Sequence, residues 1–217
     1  MRSKYLHYIG ISVIIAMLIM AVYFYPIMPE RIAIHFNAHG LPDRFVGKLW
    51  GIFLIPLISM ILYIVFILIP HIDPLGNNIK EFRYYYDMFV SLLILFLFYM
   101  ELTVILFNFG IKLNILRFIS VPVGLIYVYL GVLLLKSKRN WFVGIRTPWT
   151  LSSDEVWLKT NRLAGKFFIV DGVLVMLSFI TGRFSEIFMI WIPLVFILFI
   201  VVYSYFLWKN IRNGETA

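Results

Sequence analysis

Two carboxylates stand where carboxylates are costly. Glu101 and Asp171 interrupt long apolar runs, and a charged side chain at the centre of a bilayer costs roughly 2.5–3.5 kcal/mol on insertion scales. Neither is expected to face lipid. Each must be protonated, bonded to a partner on a neighbouring helix, or turned towards a wet cavity, and such intramembrane groups are functional candidates by default. Glu101 falls in the middle of its run and is the stronger candidate, whereas Asp171 falls only about one turn inside its own.

Two polar stretches carry the remaining chemistry. Residues 26–48 hold His35, His39 and Asp43; a four-residue spacing brings two imidazoles to one face of a helix, the geometry of a zinc or proton-sensing site. Asn37, Gly40 and Pro42 favour a turn over a helix, however, and the glutamate of a zinc-protease helix is missing. The preferred reading is a structural loop with solvated or capping histidines and no metal.

Residues 136–166 hold three of the six tryptophans, Trp141, Trp149 and Trp157, at intervals of eight. Indoles favour the headgroup level, so this stretch is expected to lie along the membrane interface. Ser152-Ser-Asp-Glu155 has the spacing of a capping box and predicts a short helix starting there. Continued at 3.6 residues per turn, that helix aligns Trp157, Asn161, Ala164, Phe168 and Asp171 on one face as a polar seam, with Gly165 and Gly172 positioned to admit a close neighbour. The plainer alternative is an interfacial hairpin that only anchors the bundle, its basic side chains snorkelling to phosphates.

Several chemistries are excluded. There is no cysteine, hence no disulfide, thiolate metal site or cysteine nucleophile. No His-Glu-x-x-His, no Gly-x-Ser-x-Gly and no pair of intramembrane aspartates able to share a proton occurs. No catalytic residue, metal or cofactor is therefore expected, and the chain does not read as an enzyme.

The elements that must position these residues are membrane spans. Of 217 residues 62% are hydrophobic and 14% charged, against roughly 45–50% and 25% in soluble domains. The apolar runs predict an all-α membrane protein, a polytopic bundle of about six transmembrane helices at residues 5–25, 49–69, 88–109, 115–135, 167–182 and 187–208. The second should stop at Pro70, and Pro122 should kink the fourth. The first is too long for a signal-peptide core and ends in bulky residues where a cleavage site wants small ones.

Lysine and arginine divide 13 to 6 between the two sides, which places both termini in the cytoplasm, residues 26–48 outside and residues 136–166 at the cytoplasmic interface. The net charge of +8 thus records topology and lipid contact rather than direct nucleic-acid binding. Residues 1–135 read as a four-span amino-terminal region, and 136–217 as a signature loop with the last two spans.

Taken together, the two polar stretches resemble the SdpI family of bacterial and archaeal membrane proteins, named for immunity against a secreted sporulation-delaying toxin. His35, Phe36, Asn37, Gly40, Pro42, Asp43 and Lys48 match the family's amino-terminal module of unknown function; His39 lies outside that pattern. Asn140, Gly144, Ile145, Arg146, Thr147, Pro148, Trp149, Thr150, Trp157, Asn161, Arg162, Gly165 and Gly172 match its carboxyl-terminal signature. The resemblance implies a cell-membrane immunity protein that confers resistance to a membrane-active peptide toxin and, in one branch, also a signal receptor that sequesters a cytoplasmic transcriptional repressor. It assigns residues 35–48 to an extracellular ligand and the 136–166 surface to a cytoplasmic partner. A small proton- or ion-coupled transporter or channel built on Glu101, Asp171 and Pro122 is the competing expectation.

Overall fold

The computed structural model describes residues 2–37, 40–181 and 184–214. Six of its helices are long and apolar enough to cross a membrane, the number expected. They lie in α1 (Arg2–Phe24), α2 (Lys48–Ile72), α4 (Arg83–Asn108), α5 (Ile115–Lys136), α7 (Asp154–Thr181) and α8 (Ile192–Arg212). At 1.5 Å per residue these measure about 32–42 Å, enough for a hydrocarbon core of about 30 Å with both ends in the headgroups. Their outer faces expose large apolar side chains such as Ile19 and Leu198, both 65% exposed, which lipid covers at no cost. Hydroxyls such as Ser59 and Ser204 turn inwards and bond their own helix, Ser59 donating to Ile55 O at 2.8 Å and Ser204 to Val201 O at 2.7 Å, so these donors do not face hydrocarbon.

The bundle has two halves. In one, α1, α2 and α4 enclose Ile14, Tyr63, Tyr86 and Ile94 towards one end and Ala21, Ile52, Val104 and Ile105 towards the other. In the second, α5, α7 and α8 pack around Leu134, Ala164, Phe168 and Ile200. Tyr99 of α4 joins the halves, stacking on Phe118 of α5 at 5.4 Å and donating to Phe118 O at 2.9 Å.

The tightest contact is between α5 and α7. A Cβ built on Gly124 would lie 2.5 Å from Gly172 O, and one on Gly131 would lie 2.5 Å from Gly165 O. Two glycines seven residues apart on each helix thus face two on the other, and backbone approach replaces side-chain packing. The close approach expected of Gly165 and Gly172 is present. Their partners Gly124 and Gly131 went unanticipated, because a close crossing is visible in sequence only when both helices are aligned.

Several boundaries differ from expectation. α2 continues through Pro70 to Ile72, since a proline near a helix end displaces carbonyl bonds already close to solvent. The span expected at 167 begins at Asp154, giving a helix of 28 residues; its basic first turns looked like a loop only by hydropathy. The end of that expectation, Gly182, lies outside the described residues. The helix expected from Ser152 is present two residues later as the start of α7, continuous with the span instead of short; a separate short helix, α6 (Pro148–Ser152), precedes it. Ser153, not Ser152, then starts α7, its hydroxyl 3.4 Å from Val156 N, while Glu155 pairs with Lys159 at 3.1 Å instead of closing a capping box. A π-helical turn, Ile187–Trp191, leads into α8.

An antiparallel hairpin stands where the helical reading left a loop: β1 (Arg31–Phe36) pairs with β2 (Pro42–Gly47). Isolated two-stranded sheets are marginal in water, and this one is fastened to the bundle. Asn108, at the end of α4, accepts from Ala33 N at 2.8 Å and donates to Ala33 O at 3.0 Å. Phe36 meets Phe107 edge-on at 4.7 Å. A short helix, α3 (Gly76–Glu81), connects α2 to α4 at the opposite end.

Candidate functional site

At the end of the bundle away from the hairpin, residues 137–153 fold back over α7 as a hydrogen-bonded cap. Asn140 is fully buried and supplies the loop's frame: its Oδ1 accepts from Phe142 N at 2.9 Å and Val143 N at 2.6 Å, and its Nδ2 donates to Lys138 O and Val143 O, both at 2.8 Å. A side-chain amide that mimics a backbone turn in this way fixes the chain without regular structure. Gly144 follows at φ +133°, where L side chains are strained. A Cβ there would also meet the Trp157 ring at 2.7 Å.

The cap is bolted to α7 and α8. Trp157 is 1% exposed, and its Nε1 donates to Ser137 O at 3.3 Å. Asn161 accepts from Ile145 N at 2.8 Å and donates to Trp157 O at 3.1 Å. Thr147 caps α6 in a reciprocal box with Thr150, and its hydroxyl lies 3.0 Å from Ser204 Oγ of α8. The three tryptophans spaced by eight therefore have three environments: Trp141 is half exposed, Trp149 packs on Tyr205 at 5.1 Å, and Trp157 is core. Trp141 and, in part, Trp149 keep to the surface expected of all three and Trp157 does not, because a loop imposes no shared period.

Of the signature residues, Asn140, Gly144, Thr147, Trp157, Asn161 and Gly165 are thus consumed in building the cap and its α7 support. Arg146 donates to Trp141 O at 2.6 Å and stays exposed; Arg162 is also exposed. Beside them opens a cavity of about 320 Å³ lined by Asn78, Glu81, Ser137, Lys138, Arg139, Asp154, Trp157 and Leu158. Its rim holds two ion pairs, Lys138 with Glu81 and Arg139 Nε 2.8 Å from Asp154. The latter is a charge contact without hydrogen-bond alignment, for Nε has no hydrogen-bond partner among the described residues. The cap also grips the first half of the bundle: Asp73 accepts from Trp141 N at 2.9 Å, and Asn78 donates to Arg139 O at 2.7 Å.

At the hairpin end, His35 and Asp43 meet at 2.5 Å between Nδ1 and Oδ1, both exposed. Asn37 closes the turn, its Oδ1 accepting from Leu41 N at 3.1 Å and its backbone oxygen from Gly40 N. Gly40 takes φ +74°. Lys48 braces the base, 3.6 Å from Glu30 and 5.1 Å above the Tyr25 ring. His39 lies outside the described residues. No group of three or more histidine, aspartate or glutamate side chains able to hold a metal occurs among the described residues.

The intramembrane acids are not brought together. The Trp157–Asn161–Ala164–Phe168–Asp171 face is buried throughout. Because α7 starts at Asp154, Asp171 sits near its middle rather than one turn from the interface. Glu101 sits seven residues from the hairpin end of α4, on the stripe shared with Ile94 and Asn108. All four carboxyl oxygens lack a hydrogen-bond partner among the described residues.

Two further buried acids were missed, Asp73, which holds the cap, and Asp87. Asp87 is 1% exposed; it accepts from Arg83 Nε at 2.7 Å and from the Ser3 hydroxyl, and lies 3.7 Å from His7. Tyr63 of α2 donates to His7 O at 3.1 Å. This knot ties α1, α2 and α4 together, and its signal in the sequence was the i, i+4 pair Arg83–Asp87 just before the apolar run.

Residues 136–206 match the SdpI/YfhL protein family, and residues 13–60 match a domain of unknown function, DUF1648. Immunity protein SdpI of Bacillus subtilis (strain 168) is 30% identical over 208 residues, which cover 94% of this chain and 98% of that protein. The chain belongs to the SdpI/YfhL family. No solved structure matches it. The SdpI/YfhL match begins at Lys136 and takes in the whole cap, α6, α7 and most of α8. The other takes in the hairpin with the adjoining parts of α1 and α2. Asp87 and Glu101 fall in neither.

Proposed function

We propose that this multi-pass membrane protein is an immunity protein, protecting the membrane that contains it against a membrane-active peptide toxin. The observation that carries the reading is the relative named for immunity, aligned over nearly the full length of both chains, in a bundle whose two polar constructions sit at opposite ends. In this reading both termini are cytoplasmic, as the division of basic residues favours. The hairpin with His35, Asn37, Gly40, Asp43 and Lys48 meets an extracellular ligand. The face bearing Arg146, Trp149 and Arg162 meets a cytoplasmic partner, a transcriptional repressor held at the membrane. Residues 1–135 and 136–217 act as the outward-sensing and inward-reporting regions. The chemistry is recognition, without a catalytic step.

Expression in a toxin-sensitive host tests this. Survival should rise against at least one secreted membrane-active peptide, and unchanged killing across a panel of such peptides would sink the reading. A second reading, a small proton- or ion-coupled transporter, is favoured by the orphan oxygens of Glu101 and Asp171. Proton-coupled flux in liposomes, compared between wild type and Glu101→Gln, decides it; no flux in either form ends it.

A further inference from the structure

The two edges of the hairpin are treated differently. Lys48 N donates to Glu30 O, and Ile32 stands opposite Val46. Antiparallel alternation then turns the N–H and C=O groups of Arg31 and Ala33 out of one edge, and those of Phe45 with the N–H of Gly47 out of the other; as the N-cap of α2, Gly47 gives its C=O to that helix. On the β1 edge, Asn108 meets both outward groups of Ala33, completing the ladder as a further strand would. Among the described residues the β2 edge has no such cover. Gly47 is exposed, and a Cβ built on it meets nothing within 4 Å. Phe45 is 45% exposed and Leu41, immediately before β2, 60%.

We propose that the outer edge of β2, through the backbone of Phe45 and Gly47, docks an extended peptide segment whose apolar residues meet Phe45 and whose carboxylate meets Arg44. Open edge groups at a two-residue interval are the template for strand addition: main-chain bonds supply affinity and alternate side chains supply specificity. Charge selects the occupant. Arg44 on β2 and Arg31 on β1 are exposed and form no ion pair among the described residues. A second copy of the chain would set β2 against β2 and bring Arg44 and Lys48 towards their like charges, which opposes self-pairing. An acidic, apolar, extended peptide has the opposite balance. The proposal rests on the immunity reading only in naming that peptide as the toxin; the edge itself rests on the hairpin.

Gly47 offers a clean test, because its φ of −61° and ψ of 148° already suit proline and its N–H points away from β1. The full chain in lipid nanodiscs is titrated with a fluorescent synthetic heptapeptide of alternating valine and glutamate, and anisotropy is read. Saturable binding is expected, weakened about tenfold by Gly47→Pro, as the loss of one edge hydrogen bond allows, and unchanged by Gly47→Ala. The same heptapeptide carrying N-methylated valines should fail on the wild-type chain, which tests the edge without altering the protein's fold. Absence of saturable binding, equal binding by Gly47→Pro, or cysteine cross-linking at Arg44→Cys that joins two β2 strands would overturn the proposal. Loss of protection from killing in Gly47→Pro, with protection kept in Gly47→Ala, supports the toxin as occupant. If the wild-type chain gives no protection, the immunity reading falls, and the heptapeptide titration alone judges the edge.

Discussion

The carboxamide of Asn161 reaches out of α7 and accepts the amide of Ile145 at 2.8 Å, so a residue on a transmembrane helix decides where the cap's chain reverses. Asn161→Ala should leave the Ile145 amide without its partner and cost about 1–3 kcal/mol. Hydrogen exchange at Ile145 and proteolysis after Arg146 should both accelerate, while the span itself stays protected.

Gly144→Ala should do more damage than that. The φ of +133° and the 2.7 Å approach to Trp157 mean that a methyl group both strains the backbone and displaces a buried indole. The measurement is tryptophan emission during thermal unfolding in detergent, with a lower midpoint and a red-shifted native spectrum expected.

Gly131→Leu or Gly165→Leu should separate α5 from α7 and destabilise by about 1–3 kcal/mol or more, the usual range for overpacking. The lipid-facing change Val170→Leu should be neutral, since Val170 is 60% exposed. Equal stability of all three variants on urea titration in micelles would show that the glycine contact carries no weight.

Asp87→Ala should loosen the hold of α1 on α4. Removing one partner of a buried pair costs about 3–5 kcal/mol; Arg83 is 28% exposed, and water can reach it, so about 1–3 kcal/mol is expected here. Ser3→Ala should show a smaller loss. Faster exchange in the first turns of α1, with α7 unchanged, is the signature to look for.

Orientation can be settled by labelling, because the wild-type chain contains no cysteine. In intact cells a membrane-impermeant maleimide should modify His35→Cys and leave Trp141→Cys untouched until the cells are opened. The reverse pattern would invert the proposed topology, and with it the assignment of the hairpin to an outside ligand.

The spans were legible because lipid imposes one uniform demand along each of them, and apolar length reads that demand directly. The buried stripe from Trp157 to Asp171 was legible too, since a helix keeps its period across the interface. Hydropathy could not find the start of α7 at Asp154, as Lys159, Arg162 and Lys166 make a helix in the headgroup region look like a loop. The hairpin was hidden for another reason: Arg31 to Phe36 is short, and its outer edge is finished by Asn108, some seventy residues away. Nor could spacing tell that Asn140 frames the loop from within while Asn161 fastens it to α7 through Ile145 N, next to Gly144. The signature was recognised, but its residues turned out to be the frame of a surface more than the surface itself.

The glycine pairs along α5 and α7 bear on how the chain reaches the bilayer. Two helices in backbone contact along two turns present lipid with little more perimeter than one thick rod, and they hold the stripe that carries Asp171 away from it. They are joined by a cap whose frame residue, Asn140, bonds only within it, and which Trp157 and Asn161 hold to α7. Insertion as one preassembled hairpin, rather than helix by helix, would spare Asp171 and Asn161 exposure to hydrocarbon during synthesis. The four glycines would then matter first to biogenesis.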